Sequence, residues 1–105
     1  NTTTGGHVAI GNGALFYSNT TGTGSNIAIG TGAGYSITTG MGHVAIGQGA
    51  LYANTTGGAN TAVGGYDGST AAAMRFNTTG SYNSAFGVAA LASNTTASGN
   101  TACTS

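Results

Sequence analysis

The chain has 105 residues, one Arg, one Asp, no Lys or Glu, and a formal net charge of zero. It therefore lacks the basic patches that nucleic acids and anionic membranes require, and we expect no nucleic-acid partner. Leu, Ile, Val and Phe supply only 15 residues, about 14%, which is too little for a conventional hydrophobic core. Disorder normally brings high net charge and few aromatic residues, whereas this chain holds five Tyr and three Phe. An ordered structure therefore needs an interior thin enough to be filled by small side chains.

Three short motifs recur along the chain in a fixed order. The first is Ala-Ile-Gly or a close variant, which begins at positions 9, 28, 45, 62 and 85, with a degraded copy at 102. The others are Ala-Leu and Asn-Thr-Thr, which follow in the same order within most repeats. Successive copies of the first motif are 19, 17, 17, 23 and 17 residues apart. Such a period is the signature of a repeat protein, and six extra residues between positions 64 and 77 account for the longest interval.

Each repeat is predicted to form one coil of a parallel β-solenoid, so the fold class is all-β. A unit of 17 residues is too short for helical-hairpin repeats of about 33 residues, and 21 Gly disfavour helix. In "HVAIG" β-branched and small residues alternate as in a strand, while Gly and Asn-Thr-Thr supply turns. We expect a second short strand at "GALY" in each coil. The predicted single segment, 1–105, holds about six coils, near 1–18, 19–36, 37–53, 54–76 with the insertion 65–70, 77–93 and a partial 94–105.

The alternation within each strand predicts two different faces. One face carries His or Asn followed by Ala and then Gly, and such small residues suit the inside of a thin coil. The other carries larger apolar residues that need a cover, which identical chains around a threefold axis would supply. The reverse arrangement, with the larger residues inside and Ala outside, is left open by the sequence. The larger residues form a predicted assembly stripe of Ile10, Ile29, Ile46, Val63 and Phe86.

The segments "NTAVGGY", "HVAIGQGALYANTTG" and "NSAFGVAALASNTT" resemble the head repeats of trimeric autotransporter adhesins of the YadA-like type. They are also similar to "NTAIG…AL…NTTG" arrays of phage tail fibres and environmental surface proteins. The resemblance covers essentially the whole chain and implies a left-handed parallel β-roll, side by side in a homotrimer, on a bacterial surface or a phage fibre. A unit of 17 rather than about 14–15 residues favours the fibre-type arrays. The pattern marks a fold rather than a ligand, so the surface receptor or glycan stays unidentified.

The function predicted from the sequence is structural. We expect a repeat segment of an extracellular fibre or adhesin, at a cell surface or on a virion, that mediates attachment. One alternative is a self-assembling extracellular filament subunit that joins end to end through open coil edges. An ice-binding solenoid is less favoured, because adjacent Thr residues point to opposite faces, unlike those of Thr-x-Thr. No membrane insertion is expected, since no apolar run approaches about 20 residues.

Few residues could carry chemistry, and we predict no enzyme activity, catalytic residue, cofactor or metal. Asp67 and Arg75 lie in the expanded interval and either mark a binding loop or form a weak surface ion pair. His7 and His43 replace Asn in its column, where a hydrogen-bonded corner is favoured over an ion shared around a threefold axis. Cys103 falls in the assembly stripe and is expected to be a small buried side chain.

Five Asn-Thr-Thr sequences match the acceptor pattern for N-glycosylation. A recurrent tight turn at Asn and a stacked row of Thr explain the same motifs without any sugar, and we favour that explanation. The glycosylation candidates are Asn1, Asn19, Asn54, Asn77 and Asn94.

Overall fold

A computed structural model of the chain describes residues 5–20 and 24–104. These residues contain six strands of three residues each, all parallel, in one sheet with the order β1-β2-β3-β4-β5-β6. Because each strand pairs with the next along the chain, every connection makes one circuit, and the fold is an all-β solenoid of about five turns. The strands are β1 (Val8–Ile10), β2 (Ile27–Ile29), β3 (Val44–Ile46), β4 (Thr61–Val63), β5 (Ser84–Phe86) and β6 (Thr101–Cys103).

The repeated triplets stack directly on one another, as the period predicts. Their Ala residues face each other in register across all five strand pairs. The longer interval between β4 and β5 leaves this register unchanged, since Ala62 pairs with Ala85. The extra residues are therefore accommodated outside the sheet.

The Ala column faces the inside of the solenoid. Ala28, Ala45, Ala62 and Ala85 are fully buried, whereas Ile10 in the neighbouring column is 57% exposed. This settles the alternative left open by the sequence, because the small residues lie inside and the larger ones outside. Since successive side chains of a strand point to opposite faces, the buried central Ala of the four inner strands, β2 to β5, fixes both columns. In the two end strands Ala9 is exposed and Ala102 is half-buried.

The second strand expected at "GALY" does not form. The segment is a succession of tight turns. Its backbone N–H groups donate alternately to a carbonyl three residues earlier and to a carbonyl of a neighbouring coil. Ala50 donates to the carbonyl three residues earlier, whereas Leu51 donates to Ala73 of the next coil. The residues in the Leu column all take left-handed backbone conformations, with φ of 51° at Leu15, 52° at Leu51, 47° at Met74 and 51° at Leu91.

The left-handed conformation is unfavourable for these residues by about 1–2 kcal/mol each. It turns the side chain toward the inside, where Leu15, Leu51 and Met74 are buried opposite the Ala column. Burial of a Leu or Met side chain contributes about 1.5–3 kcal/mol, which offsets the strain. The hydrophobic pattern alone did not distinguish this turn from a strand, but the burial does: Gly49, Ala50 and Leu51 are all buried, whereas a strand would bury every second side chain.

The second coil departs from the repeat at two positions that compensate each other. Gly34 occupies the position that Leu51 holds one coil later, and Ile37 occupies the position of Asn54. Ile37 is fully buried, and a Cβ on Gly34 would lie 2.9 Å from its Cδ1 atom and 3.1 Å from Cδ2 of Leu15. The Ile37 side chain therefore fills the space left by the missing Leu.

Candidate functional site

A column of Asn and His side chains lies inside the solenoid, one residue before each strand. Each of the first five side chains, from His7 to Asn83, accepts a hydrogen bond from the backbone of the next coil. Asn26 Oδ1 accepts from the His43 N–H at 3.0 Å, and Asn60 Oδ1 accepts from the Asn83 N–H at 3.0 Å. The side-chain nitrogens of Asn26 and Asn60 donate to glycine carbonyls at 3.0 and 2.8 Å. Both ends of each amide are thus used to hold neighbouring coils at a fixed spacing.

His43 takes over the acceptor role of the Asn that it replaces. Its Nδ1 accepts from the Asn60 N–H at 3.2 Å, which places the proton of the neutral ring on Nε2, and Nε2 lies 3.2 Å from Nδ2 of Asn54. Burial lowers the pKa of His43, and the hydrogen bonds with Gly57 and Asn60 oppose this shift only in part. His7 has the matching arrangement, since its Nδ1 accepts from the Asn26 N–H at 3.1 Å. These hydrogen bonds agree with the predicted role of His as a substitute for Asn.

The Asn-Thr-Thr motifs supply a second polar column. Asn54 and Asn77 are fully buried, and Nδ2 of Asn77 donates to Asn54 Oδ1 at 2.8 Å and to the Gly80 carbonyl at 3.0 Å. A sugar on Nδ2 of Asn77 would take the place of one of these two hydrogen bonds, which favours the structural role of the motif at this position. Glycosylation of Asn54 and Asn77 stays a prediction. Asn94 is half-buried and Asn19 is exposed, and glycosylation of these two stays a prediction. Asn1 lies outside the described residues.

The two Thr residues of each motif have different surroundings. The first is half-buried in several coils, where its Oγ1 donates to a Thr carbonyl of the next coil, as between Thr38 and Thr55 at 3.2 Å. The second is exposed, at Thr39, Thr56, Thr79 and Thr96. The Thr column exposed to solvent is therefore one residue wide.

The outward face of the sheet is apolar along much of its length. The exposed fraction of the side chain is 57% for Ile10 and 45% for Phe86, and Ile29, Ile46 and Val63 are half-buried. Val8 and Ile27, at the other end of their strands, are exposed on the same face. Cys103 is exposed as well within the single chain, because the stripe points outward and no described segment covers it, so its expected burial requires a partner.

The insertion forms a loop that is braced by its own side chains. Asp67 Oδ1 accepts from the N–H groups of Thr70 at 2.6 Å and Ser69 at 2.9 Å, and these bonds lower the pKa of the Asp67 carboxyl. The Tyr66 hydroxyl donates to the Gly68 carbonyl at 2.8 Å. The Tyr66 N–H donates to the carbonyl of Gln48 at 2.9 Å, which ties the loop to the preceding coil.

Aromatic side chains stack in a column along one edge of the solenoid. The rings of Tyr35 and Tyr52 are nearly parallel, with 4.9 Å between their centroids, and Phe16 stacks on Tyr35 at 5.2 Å. The Arg75 guanidinium continues the column, with its Cζ 4.7 Å from the Tyr52 centroid and 6.0 Å from that of Phe76. Stacking of a guanidinium on an aromatic face is a favourable cation–π contact.

A cleft of about 470 Å³ lies between the insertion loop and this column. The sequence singled out Arg75 and Asp67 but missed the rest of the lining. The signal that could have found it is an aromatic residue inside the insertion, Tyr66, and another next to the only Arg, Phe76. The cleft is lined by Gln48, Tyr66, Ser69, Ala71, Arg75 and Phe76.

Asp67 and Arg75 form no ion pair in the described part of the chain: Asp67 is engaged within its own loop, and Arg75 stacks on Tyr52. Among residues 5–20 and 24–104, no three His, Cys, Asp or Glu side chains gather as a metal site would require. None of these residues belongs to a helix long and apolar enough to cross a membrane.

Comparison with protein-family models, with curated proteins and with solved structures gives no match to this chain.

Proposed function

We propose that the chain is a structural repeat segment of an extracellular fibre or adhesin, of the kind found in phage tail fibres and bacterial surface appendages, and that it serves attachment. In this proposal three chains lie side by side as a homotrimer, each a left-handed β-roll. Their contact is the outward face of the sheet, which contains the assembly stripe.

The observation that carries the proposal is the polarity of the two faces of the sheet. The interior holds Ala and hydrogen-bonded Asn, whereas Ile10, Ile27 and Phe86 face outward and are at least 37% exposed. A continuous apolar face is normally covered by a partner, and copies related by a closed symmetry cover one another. Every coil contributes the same kind of residue, so the interface would extend along the whole solenoid, as a fibre requires.

Sedimentation of the purified chain tests the assembly. We expect a species of three times the chain mass of 9.9 kDa. The double variant Ile29→Lys, Ile46→Lys places two charges at the centre of the stripe and should yield monomers, because a buried unpaired charge is strongly unfavourable. The matched control is Thr39→Lys, Thr56→Lys, which adds the same charge at exposed positions outside the sheet. A wild-type chain that sediments as a monomer at micromolar concentration contradicts the trimer.

Attachment requires its own experiment. Beads coated with the wild-type chain should adhere to the target cell surface, and the soluble chain should compete with them. Equal adherence of beads coated with an unrelated neutral protein would argue against a role in attachment.

The alternative of an end-to-end filament is favoured by one specific observation. Within the described residues, β1 and β6 each pair on one side only, so a second copy could continue the sheet at either edge. In that case negatively stained samples should show filaments that lengthen with protein concentration, with a strand spacing of about 4.8 Å in fibre diffraction. Discrete trimers without filaments would count against this alternative.

A further inference from the structure

Arg75 is the only Lys or Arg side chain in the sequence, and it lines the cleft beside the insertion loop. Tyr52 supports the guanidinium from one side at 4.7 Å. No carboxylate pairs with it among the described residues, because the Asp67 carboxylate accepts hydrogen bonds from Ser69 and Thr70. A guanidinium keeps five N–H donors and its charge at all physiological pH values. The cleft therefore offers a fixed cation with no anion assigned to it.

The remaining walls combine aromatic rings with small polar groups. Tyr66 and Phe76 are 42% and 51% exposed, so ring surface is available to a ligand. Gln48 adds an amide that can donate to and accept from hydroxyl groups. Ser69 adds a hydroxyl that donates to Asp67 Oδ1 at 3.3 Å and keeps its oxygen as an acceptor. A volume of about 470 Å³ lies in the range of small-molecule sites.

The loop that forms one wall of the cleft is preorganised. Asp67 fixes its tip through two backbone N–H groups, and Tyr66 is held at both its backbone and its hydroxyl. Binding would therefore require little ordering of the walls, which lowers the entropic penalty of association.

We propose that this cleft binds one acidic sugar residue, of the hexuronic acid type, in a surface glycan. Its carboxylate would form a bidentate ion pair with Arg75, in which two guanidinium N–H groups donate to the two carboxylate oxygens. Its ring would lie against Tyr66 or Phe76, and its hydroxyls would meet Gln48 and Ser69. A single cation matches one carboxylate and is too little for a polyphosphate. Only the biological purpose of this binding rests on the proposed attachment role. The binding itself does not, since the cleft lies within one chain.

Titration of the ¹⁵N-labelled full chain followed by NMR tests this site. The probes are the methyl glycoside of glucuronic acid and methyl glucoside, which differ only in the carboxylate. We expect the acidic sugar to bind and the neutral one to bind at least about tenfold more weakly. Arg75→Gln should abolish binding, Arg75→Lys should weaken it about tenfold, and Tyr66→Ala should weaken it without removing the preference for the acid.

The control is Tyr82→Ala, because Tyr82 is 73% exposed and does not line the cleft; its affinity should equal that of the wild type. Thermal unfolding of each variant shows whether its fold persists. The comparison of the two sugars uses the wild type alone, so it does not depend on whether a variant folds. Absence of binding, equal affinity for both sugars, equal affinity for acetate, or unchanged binding by Arg75→Gln would each overturn the proposal. Sedimentation of the same samples tests the assembly independently of sugar binding, since Arg75 lies outside the assembly stripe.

Discussion

At the scale of single residues, the side chains inside this solenoid fit their positions through hydrogen-bond geometry as much as through size. Asn26, His43 and Asn60 each accept a backbone N–H from the coil that follows. An imidazole can replace the amide because Nδ1 and Nε2 are an acceptor and a donor separated by one ring atom, much like the oxygen and nitrogen of Asn. The replacement adds something that Asn lacks, which is a group that can be protonated near neutral pH.

The first prediction concerns acidification. The pKa of His43 is lowered in the folded chain, so its contribution to stability is complete above the unfolded pKa of about 6.5. As pH falls below about 6.5, the unfolded chain takes up the proton first, and the free energy of unfolding decreases until the folded pKa is passed. Urea unfolding at pH 8, 7, 6 and 5 should show this loss for the wild type. In His43→Asn the loss should be smaller, because the amide takes up no proton over this range; parallel curves for the two proteins would refute the assignment.

A second prediction concerns the compensating pair in the second coil. Gly34→Leu alone should destabilise the fold, because the new side chain meets Ile37 and Leu15. Ile37→Asn alone should destabilise it through the cavity that it leaves. The double variant restores the pattern of Leu51 and Asn54, so its loss should be smaller than the sum by about 1–3 kcal/mol in a double-mutant cycle. Additive losses in urea unfolding would show that the two positions are independent.

At the scale of the elements, close approach of the coils depends on the glycine that follows each of the first five strands. Gly47 has φ of 120°, and a Cβ there would lie 2.5 Å from the N atom of Gly65 in the next coil. The backbone conformation and the short distance both exclude a side chain. Ala-Ile-Gly is therefore a structural unit: Ala fills the interior, Ile forms the outer face, and Gly lets the chain turn against its neighbour.

The third prediction separates these two constraints on glycine. Gly47→Ala should destabilise the chain by about 2–4 kcal/mol, the sum of a strained φ and a collision with the next coil. Gly68→Ala is the matched control, since φ is 100° but nothing lies within 4 Å of the added Cβ. It should lose only about 1 kcal/mol in thermal or urea unfolding. Equal losses would mean that backbone strain alone explains the choice of glycine.

The sequence predicts the strands and their register well, because every coil repeats the same constraint at Ala-Ile-Gly. It predicts the turn segments poorly, since the left-handed conformation of Leu51 depends on hydrogen bonds to Ala73, which are not visible in a local pattern. The sequence identified the column of Cys103, but not its exposure in the single chain, because that depends on what covers the sheet. The cleft was predicted only as a choice between a binding loop and an ion pair, because the position of Arg75 depends on the fold of the insertion.

At the scale of the whole molecule, polarity is distributed in an unusual way. Buried Asn side chains form hydrogen-bonded columns inside, while the broad apolar surface lies outside on the sheet. With one Arg and one Asp in 105 residues, charge can contribute little to any association of the chain. Self-association through the outward face would then depend on the removal of apolar surface from water.

The fourth prediction follows from this neutrality and concerns the response of assembly to salt. Association that depends on charge weakens as the Debye length falls from about 14 Å to 3 Å between 0.05 and 1 M NaCl. We expect the association constant of this chain to change by less than about twofold over that range, because no ion pair is available at the stripe. Sodium sulfate at the same ionic strength should strengthen association, since it favours burial of apolar surface. Dissociation at high NaCl, measured by sedimentation equilibrium, would show that Asp67 and Arg75, the only charged side chains, hold the chains together and that the outward face does not.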